Sequence, residues 1–136
     1  MAVVEELIRV ESNDTISFGN HKLNEKTKKS DFEFLGDVYK VKTYNEITKL
    51  EKNGSMIYES VPGTSVNGFS IVDGDVEFKV EADADSQITL ELESATEYTL
   101  YLDGVNAGSM KSNMSGKLTL SINAANGQTT VKIVKA

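Results

Sequence analysis

The chain has 136 residues, no cysteine, 39% apolar residues and a formal net charge of −7. That length suits one domain able to bury its own core, and the absence of cysteine rules out disulfide scaffolds, thiolate zinc sites and cysteine nucleophiles. The acidic balance disfavours nucleic acid and anionic membranes as partners: a phosphate backbone calls for a clustered basic footprint, and apart from Lys26, Lys28 and Lys29 the lysines are scattered along the chain.

The opening residues, Met1 to Leu7, have neither a basic start nor an apolar run of signal-peptide length. No stretch approaches the ~18 consecutive apolar residues of a membrane-spanning helix. The expectation is a soluble protein, cytoplasmic by default.

The dominant pattern is short runs of alternating apolar and polar residues, punctuated by Gly, Asn and Asp, which marks half-buried strands. Residues 7–11 and 15–18 flank Ser12-Asn13-Asp14, a hairpin turn by composition. The polar, basic stretch 24–30 is expected to be a loop or a helical turn. Residues 38–42 alternate cleanly. Thr43 to Glu46 matches a capping box, with Tyr44, Ile47 and Leu50 on one helical face and Gly54 as a stop. Against a helix over 43–52 stand β-branched Ile47 and Thr48 and the dipeptide Asn53-Gly54, a strong hairpin signal, and these favour a strand at 47–51 paired with 55–59.

Pro62 is the sole proline and sits in turn chemistry, Ser60-Val61-Pro62-Gly63-Thr64. A weak sub-boundary within the 1–136 domain fits only at 62–67. Asp73-Gly74 joins 69–72 to 76–81, and Asp103-Gly104 follows 98–102. Alternation at 88–93, 117–122 and 130–134 completes about ten short strands. Strands with one wet face pair antiparallel, so the fold expected is an all-β antiparallel sandwich.

Candidate sites are few. The lone His21 follows Phe18-Gly19-Asn20 and is expected on a surface or in a turn, with no nucleophile motif to make it a general base. Carboxylate pairs such as Glu91 and Glu93 are the solvated face of an amphipathic strand. Asp73 and Asp75, and Asp83 and Asp85, lie in two loops that offer oxygen ligands for a structural Ca²⁺ without matching an EF-hand spacing. No other cofactor is indicated. Tyrosines are the only residues able to stack on a sugar ring alongside phenylalanine, since the chain has no Trp. Tyr98 and Tyr101 differ by three in a period-two strand, so one of them faces water or a partner. Tyr39 falls opposite Val38, outward with Val41 inward or the reverse.

Residues 46–54 followed by 58–64 (Tyr58-Glu59-Ser60-Val61-Pro62-Gly63-Thr64) resemble short proteins of anaerobic Gram-positive bacteria labelled endosialidase-like, over about residues 7–135. A sialidase site clusters three arginines on the substrate carboxylate, and this chain has only Arg9, so no catalytic residue carries over. Residues 98–104, Gly108, 116–122 and 131–134 resemble immunoglobulin-like accessory modules attached to surface and polysaccharide-processing proteins. The expectation is an immunoglobulin-like or jelly-roll-like sandwich acting as a non-catalytic binding or adhesion module for a glycan or protein. The alternatives are a homo-oligomeric assembly protein and a carbohydrate-active enzyme.

Overall fold

The computed structural model describes residues 3–124 and 127–136. Thirteen strands run through them: β1 (Ile8–Val10), β2 (Ile16–Phe18), β3 (Thr27–Phe34), β4 (Asp37–Tyr44), β5 (Ile47–Lys52), β6 (Ser55–Val61), β7 (Ser65–Val72), β8 (Asp75–Glu81), β9 (Ser86–Glu91), β10 (Glu97–Leu102), β11 (Val105–Lys111), β12 (Lys117–Ile122) and β13 (Gln128–Lys135). All pairings are antiparallel. They form a seven-stranded sheet, β1-β2-β7-β8-β13-β10-β11, and a six-stranded sheet, β12-β9-β6-β5-β4-β3. No helix among the described residues is long and apolar enough to cross a membrane.

The two sheets meet through one core. Phe18, Phe69 and Phe78 of the seven-stranded sheet surround Tyr58 of the six-stranded sheet. Phe18 and Tyr58 cross edge to face with centroids 5.1 Å apart. Such crossings set the positive ring edge against the negative face. The core draws on both sides of residues 62–67, from Ile8 to Ile133.

Two expectations are corrected. The stretch 24–30 is not a loop throughout, because β3 starts at Thr27 and runs along the edge of its sheet. Residues 105–111, left unassigned by pattern, form the opposite sheet's edge strand β11. The first half of β3 and nearly all of β11 are exposed on both faces and carry no alternation, while Phe32 and Phe34 at the end of β3 pack against the core. The 43–52 segment is strand: β4 ends at Tyr44 and β5 begins at Ile47. At the Asn53-Gly54, Asp73-Gly74 and Asp103-Gly104 turns both residues have positive φ, the twist of a type I′ hairpin.

Candidate functional site

The seven-stranded sheet turns its outer face to solvent, and the register lines its side chains into rows. Ser70 faces Glu77, Glu77 faces Lys132, and Lys132 faces Tyr101. With strands ~4.8 Å apart, this row spans about 14 Å across four strands. A neighbouring row runs from Asn67 through Lys79 to Thr130. Ladder shifts interrupt β2–β7 between Ile16 and Phe18 and β7–β8 between Asn67 and Ser70. Bulges of this kind bend a strand and re-aim its side chains.

Beside the shifts the face sinks into a groove of about 510 Å³ lined by Glu11, Asn13, Thr15, Ser17, Ser70 and Lys79, among others. A second groove of about 360 Å³, lined by Tyr101, Gly104, Lys132 and Val134, adjoins it, and Glu77 and Thr130 border both. The walls carry hydroxyls, amides and charges of both signs.

The far end of the groove is tied together by hydrogen bonds. Ser17 is fully buried. Its hydroxyl donates to Glu11 Oε2 at 2.5 Å and accepts the Gly68 N–H at 3.1 Å. Arg9 Nε donates to the same carboxylate oxygen at 2.8 Å. The Ser17 hydroxyl, then Arg9, hold the Glu11 carboxyl below its usual pKa, so it stays ionised.

The tyrosines separate as period two requires. Tyr101 is half-buried and lines the groove. Tyr98 is 1% exposed and accepts the Glu93 N–H at 3.1 Å, so it belongs to the core and offers no ligand surface. Tyr39 is buried together with Val41, two residues on, because both occupy the inner face of β4; it too is unavailable for stacking.

His21 is also not a surface residue. It lies in a turn, but its side chain is 2% exposed. Ser65 Oγ accepts the His21 backbone N–H at 3.2 Å and lies 2.7 Å from Nδ1. Nε2 lies 3.5 Å from Asp83 Oδ1 and makes no hydrogen bond. Ser, His and Asp are thus neighbours, an arrangement the one-dimensional reading missed. Ser65 is completely buried, so its hydroxyl is closed to any substrate. Desolvation pushes His21 below its ordinary value.

The four aspartates do not converge. Asp73 and Asp75 stand at the start of β8, and Asp83 and Asp85 beyond its end. A strand of this length separates them by ~20 Å. Asp75 accepts the Lys135 N–H, Asp85 accepts the Ala124 N–H, and Asp83 is bound by Lys22 Nζ at 2.7 Å. Among the described residues no three His, Cys, Asp or Glu side chains are grouped to hold a metal ion. Compared with protein-family models, curated proteins and solved structures, the chain matches none.

Proposed function

We propose that the chain is a non-catalytic binding module that takes a glycan on the outer face of its seven-stranded sheet. The observation that carries this reading is the row Ser70–Glu77–Lys132–Tyr101 running along two adjoining grooves. A saccharide has hydroxyls around its rim and apolar C–H faces. Carboxylates, amides and hydroxyls satisfy the rim, and a half-exposed tyrosine takes a face. The likeness of residues 98–134 to accessory modules of polysaccharide-processing proteins points the same way.

Glu11 and Glu77 border one groove, which invites comparison with a glycosidase pair. A general acid needs its pKa raised, and Glu11 is held down by Ser17 and Arg9. That favours a fixed acceptor over a proton donor.

The test is binding of the purified protein to a broad glycan array, with and without Ca²⁺, alongside Tyr101→Ala and Glu77→Gln. Saturable binding to a glycan, weakened roughly ten-fold or more by either substitution, is the expected result. Loss on chelation would assign an ion to the Asp73–Asp75 turn or the Asp83–Asp85 loop. A blank array sinks the reading. The second reading, self-assembly, rests on β11: from Val105 to Met110 this edge strand carries no charge, and Val105 is 68% exposed. Unguarded edges pair with other chains, and a dimer or polymer in size-exclusion chromatography with light scattering would favour it.

A further inference from the structure

The six-stranded sheet presents a different chemistry on its outer face. Lys28 of β3 stands directly opposite Lys42 of β4, and Lys42 directly opposite Lys49 of β5. The row continues to Glu59 and then to Thr89 and Thr119. Lys26 and Lys40 add to the field at Lys42, whose ammonium is disfavoured first by desolvation and then by these four lysines. The acids beside the cluster are Glu51, opposite Lys40 and 3.9 Å from Lys49, and Glu59.

Like charges directly opposite one another destabilise a sheet. A chain of net charge −7 has abundant acids with which to break such a row, yet three lysines stand in register. Protection of a sheet edge explains Lys28, since β3 is an edge strand. It does not explain Lys42 and Lys49, which sit on the interior strands β4 and β5.

We propose that the row Lys28–Lys42–Lys49, with Lys26 and Lys40 beside it, is a binding face for a carboxylated polysaccharide. The lysine Cα positions recur at the strand spacing, ~4.8 Å, and a chain of uronic acids advances by a comparable step per sugar. Tyr44, half-buried on the same outer face two residues beyond Lys42, supplies a ring beside the charges. The acidic remainder of the molecule repels a polymer as densely charged as double-stranded DNA, which carries about one charge per 1.7 Å of axis. A polyuronate has far lower charge density. This face lies on the sheet opposite the grooves, so it stands or falls independently of them.

The experiment is titration of the intact protein with polygalacturonate, and separately with a neutral polysaccharide, double-stranded DNA and phosphatidylserine vesicles. Wild type binds polygalacturonate with an affinity that falls steeply as salt rises to about 0.15 M. The triple variant Lys28→Gln/Lys42→Gln/Lys49→Gln binds roughly ten-fold more weakly or not at all, with a flatter salt dependence. A matched variant, Lys111→Gln/Lys117→Gln/Lys135→Gln, lowers the net charge equally elsewhere and retains binding, as does Tyr101→Ala. Thermal melts confirm that each variant folds. The inference is overturned if polygalacturonate does not bind, if both triple variants lose affinity equally, or if DNA or the vesicles bind as tightly as the polyuronate.

Discussion

His21 shows how one buried side chain couples this fold to pH. Its imidazole is buried within the field of Asp83, Lys22 and Glu81, and desolvation outweighs the pull of the two acids, so its pKa lies below 6.5. A base whose folded pKa is lowered binds its proton more weakly folded than unfolded. Between the two values the unfolded chain holds more protons, and stability rises with pH there. The stability contributed by neutral His21 is complete above about pH 6.5 and is lost as pH falls toward the folded value. Thermal melts from about pH 8 to about pH 5 are expected to show the melting temperature dropping, and His21→Gln to flatten that slope whatever its effect on absolute stability. An unchanged slope would mean that His21 is not the titrating group. The chain has one histidine, which keeps the experiment clean.

Turns and edges set the strands. Gly36 and Gly116 have nearly equal positive φ, 83° and 85°, but different surroundings. A Cβ at Gly36 meets nothing within 4 Å, whereas one at Gly116 would lie 2.2 Å from the Leu92 carbonyl oxygen. That contact belongs to the loop where Leu92 N–H donates to the Gly116 carbonyl at 2.7 Å. Gly36→Ala is expected to cost about 1 kcal/mol, the strain of the left-handed conformation alone. Gly116→Ala is expected to cost about 3 kcal/mol or more, because backbone must move. Urea unfolding midpoints at constant m separate the two; equal losses would refute the steric account. The same elements show what a linear reading can recover. Strands with one buried face, such as β8 and β12, are legible because alternation records burial. β11 and the first half of β3 are not, because a segment exposed on both faces has nothing to alternate. The Leu35-Gly36 turn joining β3 to β4 also escaped notice, since exposed Leu35 adopts a positive φ that its side chain does not advertise.

Register, not local pattern, assembles both candidate surfaces, which is why the chain alone yielded Tyr101 but neither the grooves nor the lysine row. Lysines scattered in sequence at 28, 42 and 49 become neighbours only once β3, β4 and β5 pair. The grooved face of the seven-stranded sheet depends on the strand that comes last. β13 is an interior strand of the seven-stranded sheet, lying between β8 and β10 and paired to both. It contributes Val131 and Ile133, both fully buried, and carries Thr130 and Lys132 of the outer rows. Deleting residues 128–136 would expose two apolar side chains' worth of core, about 1.5–3 kcal/mol each. It would also open two facing edges, whose ladder bonds contribute about 1 kcal/mol apiece. The sum, on the order of 10 kcal/mol, matches the whole stability of an ordinary domain. The truncated chain is therefore expected to lack a cooperative melt and dispersed amide resonances, and a peptide of sequence 128–136 added in excess is expected to restore both by filling the gap between β8 and β10. A truncated chain that melts cooperatively without the peptide would show that the sheet closes without β13. The β8–β13–β10 ladder would then not be what holds Glu77, Lys132 and Tyr101 in one row.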